Sequence, residues 1–246
     1  MTVRGLKTNY IDMGRGEPLL FLHGWGAPAD SYLPLLTHLS RRFRVLAPDL
    51  PGFGGTEEPQ NPWYTDDYVD FAQTFLVTLG IDACTMVGHS HGGRMLLNWL
   101  SRDENTISVK KAVLIAAAGL RPPRSAHYYL KIYSYKLGKL VLTPFPALKK
   151  RFAARSGSDD YRAASPIMRT TLSQVVNEDY SERLKLINAE VLLIFGDLDT
   201  ATPLVANGRR MEAEIPRAGL AVLHGATHWG ILEQCPLVCR ILDVFL

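Results

Sequence analysis

No stretch of this 246-residue chain approaches the roughly 20 consecutive apolar residues that a membrane-spanning helix requires. The N-terminus, Met1 to Asp12, lacks the apolar core of a signal peptide. These two absences set a cytoplasmic location as the expectation. Cysteine is scarce: Cys84, Cys235 and Cys239 are an odd number, without histidines at metal-ligand spacing. That argues against a disulfide framework and against a metal site, and the i,i+4 pair Cys235 and Cys239 reads as two small core residues of a helix. Acid is missing locally: from Asn105 to Ser158 there is no Asp or Glu, whereas eleven Lys and Arg occur. Taking those eleven from 27 leaves 16 basic residues against 24 acidic ones, so an acidic body carries a basic insert although the net charge is only +3. A hydrophobic share of 47% with 21% charged residues is ordinary for a globular protein, and the length fits one large domain, or one with a modest insertion.

Against these absences one stretch is dense in information: Gly88-His89-Ser90-His91-Gly92-Gly93. The β-prone run Ala83 to Val87 leads into it, and the helical pattern Arg94 to Leu100 follows. Gly-x-Ser-x-Gly at a strand-to-helix turn is a nucleophile elbow. Its serine takes strained backbone angles, and the residues two before and two after must be small. Gly88 and Gly92 occupy those places. Such a turn holds the Ser90 hydroxyl clear of the sheet, above a helix N-terminus that favours developing negative charge.

Leu19 to Leu22 predicts a buried strand that feeds the glycine-rich loop His23-Gly24-Trp25-Gly26, and Ser31 to Leu39 has helical spacing. Arg44 to Ala47 predicts the next strand, ending at the turn-rich loop Pro48 to Gly55. Thr65 to Leu79 reads as a helix capped by Thr65, with Tyr68, Phe71, Phe75 and Leu76 on its apolar face. Ala112 to Ala118, Val191 to Phe195 and Gly219 to Leu223 predict further strands, and Pro236 to Phe245 a closing helix. Strands that are apolar throughout and alternate with helices imply a mostly parallel, doubly wound α/β sheet covered on both faces. Between Gly119 and Tyr180 the alternation stops. The expected organisation is a core of residues 1–118 and 182–246 with a helical cap, 119–181, over the carboxyl edge where such sheets bind ligands. Few residues precede the Leu19 strand, so a first strand is expected to be short or missing.

A serine hydroxyl is a poor nucleophile at neutral pH and needs a base, which an acid must orient. Candidates for both follow predicted strands: Gly196-Asp197-Leu198-Asp199 with Pro203 after one, and His224-Gly225-Ala226-Thr227-His228 after the last. With these residues the chain resembles the α/β-hydrolase superfamily, in its serine esterase-like branch with a cap after the sixth strand. The likeness covers nearly the whole length. The family pattern Gly-x-x-Asp-x-x-x-Pro falls on Gly196, Asp199 and Pro203, implying Asp199 as the acid over its neighbour Asp197. Gly-x-x-His falls on Gly225 and His228, implying His228 as the base, with His224 bonding locally. The backbone N–H groups of His91 and Trp25 are the implied oxyanion hole, and no metal or organic cofactor is required. Aspartate-nucleophile relatives of this fold, the epoxide hydrolases and haloalkane dehalogenases, are disfavoured by Ser90.

The resemblance implies a carboxylic ester hydrolase working through an acyl-enzyme on a small-molecule substrate. The His-Gly-Trp-Gly loop is similar to that of small carboxylesterases, including pimeloyl-acyl-carrier methyl esterases. Thioesterase, lactonase and carbon–carbon bond hydrolase activities stay open on the same triad. A hydrolase-fold binding protein is the non-enzyme alternative, although such a protein has no need of all three triad residues and both oxyanion loops. The basic insert points either to an anionic carrier or carboxylate-bearing substrate, or to a solvated helical face. Tyr128, Tyr129, Tyr133 and Tyr135 either roof the acyl pocket or pack within the cap. Neither a nucleic acid nor a membrane span enters the expectation.

Overall fold

Each of the six apolar runs named above is a strand in the computed structural model, which describes residues 1–121, 133, 134, 140, 143, 148 and 159–246. These strands are β4 (Glu17–Leu22), β5 (Phe43–Pro48), β6 (Thr85–His89), β7 (Lys111–Ile115), β8 (Glu190–Gly196) and β9 (Ala218–Leu223). With β3 (Tyr10–Met13) they form a seven-stranded sheet of order β3-β5-β4-β6-β7-β8-β9. All neighbours run parallel except β3, which lies antiparallel against β5 at the edge. The start of the chain supplies no further strand to this sheet. It forms instead a separate hairpin of β1 (Thr2–Val3) and β2 (Leu6–Lys7). The strand that the resemblance counts as sixth is therefore β7, the fifth of the main sheet in chain order.

The central stretches of β4 to β8 are apolar on both sides because each face of the sheet is covered there. Side chains alternate between faces along a strand. Leu20 and Leu22 of β4 join Met86, Leu114 and Leu193 against α2 (Thr65–Thr78) and α3 (His91–Leu100). Leu19 and Phe21 join Val45, Val87 and Ile194 against α1 (Leu33–Leu39) and the closing helix Cys235–Phe245. Burying one such side chain stabilises the fold by about 1.5–3 kcal/mol. Cys235 and Cys239 sit one turn apart on that last helix as free thiols, with their sulfurs in hydrogen-bond contact at 3.9 Å.

Thr65 is not the cap of α2. Tyr64, with extended backbone, holds the cap position and donates its N–H to Asp67 at 2.9 Å, while the Thr65 hydroxyl reaches across to Glu178. The local sequence suited Thr65 to capping, but the long-range carboxylate takes its hydroxyl instead. Of the expected cap, the helices Asp159–Ala163 and Pro166–Val175 are described, the second capped by Ser165 Oγ accepting the Met168 N–H at 3.1 Å. Tyr128, Tyr129, Tyr135 and most of the basic insert lie outside the described residues. Among the described residues no helix is long and apolar enough to cross a membrane.

Sheet order also positions the site. The chain leaves β5 on one side of β4 and returns as β6 on the other, so the loops after β4 and β6 diverge from adjacent strands. A crevice opens at such a switch point, at the carboxyl ends of the strands.

Candidate active site

At the end of β6 the backbone turns through Ser90 with φ +52°, a strained conformation for a side-chain-bearing residue. The turn is held on three sides. The Ser90 N–H donates to Ile115 O at 2.9 Å, and its carbonyl accepts from Ala118 and Arg94. Glycine is required around it: a Cβ on Gly88 would sit 2.6 Å from the Gly92 carbonyl group, and one on Gly92 would run into the Leu22 backbone. The Gly92 N–H in turn donates to His23 O at 3.1 Å, tying this turn to the loop after β4.

His228, in the loop after β9, faces the serine. Its Nε2 lies 2.9 Å from Ser90 Oγ and its Nδ1 lies 2.8 Å from Asp199 Oδ2. Asp199 follows β8 and is buried, with three further donors: the N–H groups of Ala201 and Thr202 on Oδ1 at 2.8 and 2.9 Å, and Thr202 Oγ1 on Oδ2 at 2.6 Å. Burial pushes the Asp199 carboxyl upward, but the bonds from His228 and Thr202 outweigh it and hold the group down at about 2. An ionised carboxylate only accepts, so His228 Nδ1 carries the proton. Nε2 is then a lone-pair acceptor, and the Ser90 hydroxyl donates to it.

Asp197 lies elsewhere. It accepts the Gly225 N–H at 2.7 Å and contacts exposed His224 at 3.0 Å, without reaching His228. His23 braces two loops: its Nδ1–H donates to Gly24 O and its Nε2 accepts the Leu50 N–H, both at 2.8 Å. Trp25 and His91 stand together, rings 5.5 Å apart, on the wall of a cavity of about 390 Å³ that also includes Ser90, Leu172, Val175 and His228. The His91 N–H opens α3 and so has no acceptor within the helix.

One buried network is invisible in the sequence. His89 Nε2–H donates to the His228 carbonyl at 3.0 Å, its Nδ1 accepts from Tyr32 OH at 2.9 Å, and that hydroxyl accepts the Gly24 N–H at 3.4 Å. Burial first, then the nearby His228, pushes His89 down to about 3, so it stays neutral. The loop after β4 and the loop bearing His228 are thus joined through one neutral imidazole. Thr202, which supports the carboxylate, was equally hidden, since only the fold brings its hydroxyl to Asp199. Among the described residues no three His, Cys, Asp or Glu side chains gather as a metal site would need.

A family model described as alpha/beta hydrolase fold matches residues 17–234. The chain is 27% identical over 262 residues to the 2-hydroxymuconate semialdehyde hydrolase of Pseudomonas sp. (strain CF600), covering 98% of this chain and 91% of the relative. It is also 27% identical to a non-heme chloroperoxidase of Kitasatospora aureofaciens, over 91% of this chain and 89% of that one. Among solved structures, the meta-cleavage product hydrolase CumD of Pseudomonas fluorescens IP01 superposes with a TM-score of 0.75 at 27% identity, over 99% and 95% of the two chains. A family match over so much of the length, on a mostly parallel sheet of this strand order, places the chain in the alpha/beta hydrolase family.

Proposed function

We propose that this chain is a serine hydrolase that cleaves carboxylic esters through an acyl-enzyme. The hydrogen-bonded line Ser90–His228–Asp199 is the observation that carries this reading. Ser90 Oγ attacks the ester carbonyl as His228 Nε2 takes its proton. The imidazolium then gives that proton to the departing alkoxide. Water enters, loses a proton to the same nitrogen and splits the acyl-enzyme, and the returning proton restores Ser90. Asp199 keeps the ring in the right tautomer and stabilises the imidazolium. The N–H groups of Trp25 and His91 receive the oxyanion, each donor worth about 2.7–4 kcal/mol in the transition state. Of the expected cap, the described residues Leu172, Val175 and Val176 contribute to the wall around this centre.

Carbon–carbon bond hydrolysis is the second reading, favoured by the likeness to 2-hydroxymuconate semialdehyde hydrolase over 98% of the chain. The two separate on a substrate panel of p-nitrophenyl esters, thioesters, lactones and a 1,5-dioxo compound. Fastest turnover of the esters supports the first reading. Cleavage of the dioxo compound with ester turnover at background overturns it.

His89 acts as a positioning residue, through the backbone of His228. Substituting His89→Leu is expected to lower kcat by about 10–100-fold, because small displacements of a catalytic group are that costly, while KM moves less than about threefold. His89→Gln, which keeps a donor for the His228 carbonyl, should recover part of the loss. Equal damage to kcat and KM in both variants would mean general loosening instead.

A further inference from the structure

Arg94 is buried to 7% exposure inside the first turn of α3, where the helix dipole disfavours a cation. A charge so deep is stable only when paired and hydrogen-bonded. Its guanidinium donates to two backbone carbonyls, those of Val175 and Glu178, near the end of the Pro166–Val175 helix. Among the described residues, no carboxylate pairs with it. The Glu178 carboxylate is taken by the Thr65 N–H at 3.2 Å, the Thr65 hydroxyl and Tyr180 OH at 3.1 Å. Asp179 accepts from Ser181 and from the Arg121 N–H.

One turn earlier on the same helix stands His91, 4% exposed, whose Nε2 is buried with no hydrogen-bond partner among the described residues. A buried polar atom left unsatisfied costs about 1–3 kcal/mol. Both residues border the cavity that holds Ser90, although the His91 Nε2 itself is closed off from it, with the ring packed against Trp25 and Tyr68. Burial, and then the Arg94 charge, push His91 well below its ordinary value, so the ring is neutral and adds no second charge beside Arg94. The rest of the wall is largely apolar, with Leu120, Leu172, Val175, Val176 and Pro203.

We infer that Arg94, beside the neutral His91, forms an anion-binding subsite within the acyl cavity, so that the preferred substrate carries a carboxylate on its acyl part. Both backbone bonds come from one nitrogen of Arg94, and the rest of the fork takes the carboxylate. The apolar wall receives the intervening chain, while the carbonyl lies at Ser90. This inference rests on the ester-hydrolase reading for its chemistry, but the subsite itself is tested without turnover. Hydrogen bonds to charged groups set the scale of the effect, about 10–100-fold.

The test is calorimetric titration of the protein with short-chain carboxylates, butanoate to heptanoate, against the primary amides of the same length. Alongside it, kcat/KM is compared for monomethyl esters of C4–C7 dicarboxylic acids and methyl esters of the matching monocarboxylic acids. The wild-type protein should bind the carboxylate about 10–100-fold tighter than the amide and show a similar preference in kcat/KM. In Arg94→Gln, which keeps a donor for the Val175 and Glu178 carbonyls but no charge, both ratios should fall to near one. Arg94→Met serves as the second variant if the first melts early. A purely structural Arg94 would leave the ratios where they were, and that result overturns the inference, as does a wild-type ratio of one. Should no ester be turned over, the carboxylate-to-amide ratio still decides the subsite while the ester reading falls alone.

Discussion

Replacing Ser90 by alanine should cut ester kcat by about 10⁴–10⁶-fold, with the melting temperature close to that of the wild type. The size follows from removing the atom that forms the acyl intermediate. Water would then have to attack the ester directly, aided only by binding and by the oxyanion donors. The fold should persist because Ser90 contributes its backbone, not its hydroxyl, to the turn: its N–H bonds to Ile115 O, and its carbonyl to Ala118 and Arg94. Alanine at φ +52° carries the same strain as serine, so the elbow keeps its shape. Steady-state rates and a thermal melt on one preparation check both halves. Turnover retained within tenfold would remove Ser90 from the chemistry.

Asp199→Asn should cost about 10⁴-fold in kcat, whereas Asp197→Asn should change it less than about threefold. The first figure comes from the geometry of the ring. His228 Nδ1 meets Asp199 Oδ2 at 2.8 Å, and a carboxylate there forces the proton onto Nδ1. An amide can turn its NH₂ toward the ring, which moves the proton to Nε2 and leaves no lone pair for the serine; the analogous change in a serine protease costs about 10⁴-fold. The bonds from His228 and from the Thr202 hydroxyl and N–H hold the carboxyl ionised against its burial, so its protonation does not shape the rate across neutral and mildly acidic pH. Among the described residues the Asp197 side chain bonds with Gly225 and His224, in the loop after β9, and not with His228. Equal losses at the two positions would show that the two-residue distinction between these carboxylates is wrong.

Much of the fold was legible because its signals are local. Six strands announce themselves as short apolar runs, and the central stretches of β4 to β8 are apolar on both faces because helices cover both. The turn at Ser90 was legible for the same reason, since Gly88 and Gly92 answer to atoms within a few residues or on the adjacent strand. Motif spacing separated Asp199 from Asp197, and the structure gives the two carboxylates different partners. Long-range polar contacts were not legible. Thr65 looked like a helix cap until Glu178, 113 residues away, was seen to take its hydroxyl. His89 carries no sign that its ring will join Tyr32 to the His228 backbone. Arg94 looked like one more helical residue, and its burial, with no carboxylate partner among the described residues, emerges only when α3 is packed against the segment around Val175. In each case residue type is compatible with several partners, and only the packed chain selects one.

The most direct examination of the central claim is covalent titration with a phosphonate ester, followed by peptide mass mapping. One phosphonyl group per chain should appear on Ser90, with esterase activity falling in step with its incorporation, and Ser90→Ala should take up none. Full activity in a chain fully modified at Ser90, or inactivation with the label on another side chain, would contradict the account.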